Sequence, residues 1–149
     1  MKTYKSKIAL FSLKKNSSDF YKVKIGSSND AYEYISKFYG DDLEIYESFF
    51  VLLLNRNNTT IGYAKISQGG ISGTVVDSRI IAKYCIDAFA SSVILCHNHP
   101  SGNKNPSQND LDITKKIQNV LTLFECKVLD HLIICEGSYL SLADDGLIS

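Results

Sequence analysis

"SVILCHNHPSGNKNPSQNDLDITKKI", Ser92 to Ile117, carries two of the three histidines and both prolines of a 149-residue chain. Its front, 92–96, is a short apolar run, read as a buried strand. Its rear reads as the longest helix of the chain, 107–125, with Ile113, Ile117, Val120, Leu121 and Phe124 at helical spacing on one face. Turn-forming residues fill the gap. A buried strand running through a polar turn into an amphipathic helix is a building unit of sheet-and-helix domains. The rest of the chain can be fitted around it.

Working outward, "ESFFVLLLN", 47–55, is a dense apolar run of β-formers and reads as a central strand. "RNNTT" turns the chain, and "IGYAKIS", 61–67, returns as its hairpin partner. "QGGISGT", 68–74, is a loop. Residues 78–90 place Ile81, Tyr84, Cys85 and Phe89 on one helical face, with Asp77 or Ser78 as cap. Downstream, 127–135 is a strand, Gly137-Ser138 a turn and 139–143 a terminal strand. Upstream, Ser27-x-x-Asp30 opens a helix to about Tyr39, which Gly40 ends. Residues 6–13 and 20–25 read as two strands around the turn "KKNSSD". The expected whole is one α+β or three-layer α/β/α domain over 1–149, with 1–22 as an N-terminal strand extension.

Formal net charge is zero, so bulk attraction to nucleic acid or an anionic membrane is not expected. Five lysines precede the first acid, Asp19, and read as the solvated guard of an edge strand. Cys85, Cys96, Cys126 and Cys135 form no CxxC pair and lie in apolar or helical runs, as reduced core thiols do. The apolar run 8–11 is too short for a secretory leader, and cytoplasm is the default location.

His97 and His99 stand at i and i+2 just past a buried strand, so their imidazoles leave one face and can converge. A lone HxH is weak. Asp110 adds to it. With Ser107 as N-cap, Asp110 sits where a capping-box acid would, yet helical spacing also puts it on the buried face, one turn before the core. A carboxylate pointing inward needs a partner. Two imidazoles and one carboxylate suit zinc with an open fourth position. Glu47 is the candidate base, and the hydroxyl of Ser101 could hold an oxyanion. Asp130-His131 interrupts "VLDHLIIC", and alternation sends the two to opposite faces; one of them, His131 in the first instance, could hydrogen-bond a ligand histidine, or the two could form a satisfied structural pair. Arg79 is either a substrate clamp or half of an ion pair at a helix start.

Together, Glu47, "HNHPSG" and Asp110 resemble the JAMM motif of JAB/MPN metalloproteases. "GT" at 73–74, "SRI" at 78–80, "VLDHLII" at 128–134 and the final "YLSLADDG" resemble the RadC family, once labelled DNA-repair proteins. The resemblance runs from about residue 23 to 149. It implies a mixed sheet flanked by helices, related to cytidine deaminases. It implies zinc ligands at His97, His99 and Asp110, Glu47 as the residue that deprotonates a water, and Ser101 as oxyanion support. The activity implied is metal-dependent cleavage of peptide or isopeptide bonds in a protein or peptide substrate. The rival readings are a partner-binding module without catalysis and an accessory of DNA repair. The first 46 residues lack the helix-hairpin-helix signature of long RadC proteins, so direct DNA binding is not expected.

Overall fold

The computed structural model describes residues 6–11, 14–69 and 75–149. Five strands form one mixed sheet: β1 (Ser48–Leu54), β2 (Thr60–Gln68), β3 (Ser92–Asn98), β4 (Lys127–Cys135) and β5 (Ser138–Ser141). Their order is β2-β1-β3-β4-β5. β3 and β4 run parallel, and the other neighbours run antiparallel. Three helices cover it: α1 (Ser28–Ile35), α2 (Ser78–Asp87) and α3 (Gln108–Thr122). The mixed sheet between helical layers is the expected α/β arrangement.

The two faces follow from strand alternation. On β1, Phe49, Val51 and Leu53 join Val93 and Leu95 of β3 against α2 and α3, where Ile81, Cys85, Ile117 and Leu121 close the core. Phe50, Leu52 and Leu54 join Ile94, Cys96, Leu132 and Ile134 on the other side, under Ala31 and Ile35 of α1. β1 and β3 are buried on both faces, which is why they read as continuous apolar runs.

Three expectations change. The N-terminal hairpin does not form among the described residues. Residues 6–11 carry no strand, and Ile8, Leu10 and Phe11 are exposed; 12–13 lie outside the described residues. The segment 20–25 makes a single bridge, Lys24 to Thr59. Phe20 explains this: it packs on Tyr63 of β2, on Tyr34 of α1 and on Phe38 beyond it, so aromatic contact rather than a ladder holds the segment. The extension 1–22 is therefore not a strand where it is described. Second, Phe124 is not core. α3 closes at Thr122, Glu125 takes φ 57° to turn into β4, and Phe124 is half exposed. Third, β3 runs on through His97 and Asn98, so the strand itself carries the first histidine. The loop expected at 68–74 lies largely outside the described residues, including Gly70 to Thr74.

The split between buried and exposed α3 positions is directly checkable. Ile117→Ala, at a fully buried site, is expected to cost about 2–5 kcal/mol in urea unfolding. Phe124→Ala is expected to cost less than about 1 kcal/mol, as half-exposed positions do. Equal losses would reverse this reading of the helix face.

Candidate metal centre

The site is assembled by register. β1 pairs Phe49 with His97, which sets Glu47, just before the strand, beside His99 and on the same face. β3 pairs Leu95 with His131, which brings that ring to the same face from β4. His99 lies one residue past β3, but its N–H still donates to Ile134 O (3.0 Å), so the i, i+2 geometry persists beyond the strand.

The HPSG stretch is a tight turn. Gly102 N–H donates to His99 O (3.0 Å), with Pro100 and Ser101 between; proline suits the second position of such a turn and glycine the fourth. Gly102 has φ +85°, a conformation that glycine takes without strain. The turn brings Asn103 O to 2.6 Å from His99 Nδ1. A carbonyl cannot donate, so the ring carries a hydrogen on Nδ1, and in its neutral form Nε2 is bare.

His97 is constrained from another direction. The Thr114 hydroxyl donates to Asp110 O (2.6 Å), and His131 Nδ1 lies 2.6 Å from the same hydroxyl oxygen. His131 Nε2 then lies 2.7 Å from His97 Nδ1. Both rings are buried, and Phe49 packs on each. Burial, with the neighbouring His97, pushes the His131 imidazole well below its ordinary value, so that ring is neutral.

Asp110 completes the set and does two jobs at once. Its N–H donates to Ser107 Oγ (3.0 Å), and its Oδ2 accepts from Ser107 N–H (2.9 Å), a full capping box at the start of α3. The same carboxylate sets Oδ1 3.3 Å from His97 Nε2 and Oδ2 3.3 Å from His99 Nε2. The two Nε2 atoms are 2.9 Å apart. Burial acts to raise the Asp110 carboxyl, but hydrogen bonding with His97 and His99 outweighs it and holds the group far below the usual carboxylate range. The same contact pushes the His99 imidazole up against its burial.

With both rings neutral and hydrogen on Nδ1 of each, two lone pairs and a carboxylate face one another, an arrangement that favours a cation among them. A proton can sit on only one edge of that triangle. A metal ion serves all three: the face of a tetrahedron with zinc-like bonds has edges of about 3.3 Å. The residues present therefore fit a small divalent ion. Glu47 stands slightly apart, half-buried, with Oε1 3.9 Å from His97 Nε2. It offers an oxygen within 4.8 Å of both imidazoles. Together with Phe49, Val75, Val76 and Ile113, these side chains line an open cleft of about 610 Å³.

The remaining expectations divide. Arg79 pairs with Asp77 at 2.9 Å, with its side chain 89% exposed, and is no clamp in this structure. Ser101 is exposed; its Oγ accepts from Asn103 N–H (3.3 Å), and it does not line the cleft. Asp130 faces away from His131, taking Ser141 Oγ–H (2.5 Å) and the N–H groups of Ala143 and His131. Two functional positions were missed. Thr114 is one; its place on the α3 core face, four residues after Asp110, was the available signal. The other is Asn98, the middle of HNH.

Asn98 points to the opposite face from the histidines. Its Oδ1 accepts from Ser48 N–H (2.7 Å), and its Nδ2 donates to Leu43 O (2.6 Å) and Tyr46 O (2.7 Å). All three bonds grip the backbone on either side of Glu47. Asn98→Ala would leave those buried groups without partners, and is expected to lose at least about 2 kcal/mol in thermal or urea unfolding. Asn98→Asp, which keeps the acceptor but buries an anion against two carbonyl oxygens, is expected to lose at least as much. A silent Asn98→Ala would remove this clamp from the account.

Comparison with known proteins agrees with this geometry. The RadC-like JAB domain family matches residues 25–147. A UPF0758 protein of Flavobacterium johnsoniae is 47% identical over 124 residues, covering 83% of this chain and 53% of its own. A UPF0758 protein of Porphyromonas gingivalis is 42% identical over 125 residues, covering 83% and 54%. The chain spans about half the length of these curated relatives. No described helix is long and apolar enough to cross a membrane. On sequence match, sheet topology and the clustered histidines together, this chain belongs to the RadC-like JAB domain family.

Proposed function

We propose that this domain is a zinc-dependent hydrolase that cleaves an amide or isopeptide bond in a peptide or protein substrate. The observation that carries the reading is the separation of roles among the acids. Asp110 lies against both imidazoles, while Glu47 stands outside that triangle at the cleft wall. Bound zinc supplies a Lewis-acid position that acidifies water toward a pKa of about 7. His97, His99 and Asp110 would hold the ion.

Glu47 takes the proton from the attacking water and returns it to the leaving nitrogen. Its backbone is pinned for this: Glu47 O accepts from Gly69 N–H (2.9 Å), and Asn98 grips Ser48 and Tyr46 on either side. Phe49, Val76 and Ile113 give the substrate a partly apolar wall and limit water at the reacting bond. Ser101, two residues after His99 but outside the cleft lining, would support the oxyanion only after its hydroxyl leaves Asn103 N–H and the turn brings it to the cleft.

Zinc calorimetry with a peptide-library cleavage screen tests the parts separately. Joint replacement His97→Ala and His99→Ala is expected to abolish zinc binding. Glu47→Gln is expected to keep zinc and lose about 10²–10⁴-fold in turnover. Ser101→Ala should keep zinc and lower turnover alone. Unchanged zinc affinity in the double histidine variant would refute the ligand assignment. Full activity in Glu47→Gln would refute the base.

A further inference from the structure

Thr114 has one hydrogen and two claims on it. Its Oγ1 lies 2.6 Å from Asp110 O and 2.6 Å from His131 Nδ1. If the hydrogen pointed at His131, two bare oxygens would face each other at hydrogen-bond distance. It must therefore lie toward the carbonyl, and the hydroxyl can only accept from His131. His131 is fully buried, so bulk solvent does not compete for this partner. The consequence passes along the chain: His131 Nε2 is bare, His97 Nδ1 holds the hydrogen, and His97 Nε2 is bare where it faces Asp110.

We infer that Thr114 is a positioning residue that sets the tautomers of His131 and His97 and so prepares His97 to bind a metal ion through Nε2. The opposite tautomer chain would put a hydrogen on His97 Nε2, in the space the ion must enter. The link also closes a ring. Asp110 touches His97 through its carboxylate, and through its own carbonyl it starts the relay that returns to His97. The first turn of α3 thus holds one ligand and orients another on β3. This inference rests on the metal-site reading above for its purpose, but the tautomers themselves do not depend on zinc.

The protein has only three histidines, all in this cluster, so nitrogen-15 spectra of the metal-free chain report each ring. Above the imidazole titration range, the wild type is expected to show the hydrogen on Nδ1 of all three. Thr114→Val, nearly isosteric, is expected to shift hydrogen to Nε2 in His131 and His97. It should weaken zinc binding, read by chelator competition, by about 10- to 100-fold. Thr114→Ser keeps the hydroxyl and is expected to restore both readings. A wild-type His97 with its hydrogen on Nε2 overturns the inference, even if Thr114→Val does not fold. So does a folded Thr114→Val with wild-type tautomers and wild-type zinc affinity. A wild type that orders its tautomers as expected yet binds no zinc would instead sink the hydrolase reading and leave the relay standing.

Discussion

Two imidazole nitrogens, 2.9 Å apart and both without hydrogen when the rings are neutral, are the constraint around which this fold is built. Nothing in the immediate contacts of His97 and His99 relieves it. Asp110 adds further negative charge rather than a donor. The arrangement favours a cation, and hydrogen bonds on the far side of each ring hold it in place. One ring is fixed by a turn carbonyl, the other by a relay from a helix. Such partners orient ligands and raise their basicity, and their loss commonly costs a site much of its affinity.

The helix start is where local and tertiary forces meet. Ser107 and Asp110 cap α3 mutually, a local device found at many helices. Here the same carboxylate reaches the two histidines. Ile117 and Leu121, buried about two and three turns later, press α3 onto the sheet and hold Asp110 in place. Cap and ligand are not competing readings, because a carboxylate has two oxygens and several acceptor sites. Its capping bond uses Oδ2 on the side that the helix already needs filled.

This doubling marks how far sequence reasoning reached. The run from Ser92 to Ile117 declared its strand, its turn and its helix, because each has a period or a turn chemistry of its own. Both histidines and Asp110 were legible from spacing and helical phase. Glu47 was legible only as the acid opening an apolar run; register, which no local pattern encodes, is what sets it beside His99. Thr114 reads as an ordinary core-face threonine until the strand behind it is known to carry His131. Asn98 looks like a spacer between two histidines, because its partners lie fifty-odd positions upstream. The N-terminal strands failed for the complementary reason. Their composition suits a hairpin, but Phe20 found aromatic partners on α1 and β2, and packing overrode propensity.

The division of labour in the cleft follows from the same layout. Every group that handles charge sits on or directly beside a strand or at a capped helix end. His97 is on β3, Glu47 is one residue before β1, and Asp110 is in the first turn of α3. These elements are held by core contacts on both faces of the sheet, so the spacing of the polar groups is set by the packed interior. Two apolar lining residues differ. Val75 is almost fully exposed, and with Val76 it belongs to the segment between β2 and α2 rather than to an element. Change there does not have to disturb the sheet. The polar groups of the cleft are thus tied to the fold, whereas Val75 and Val76 line it from a segment the sheet does not depend on.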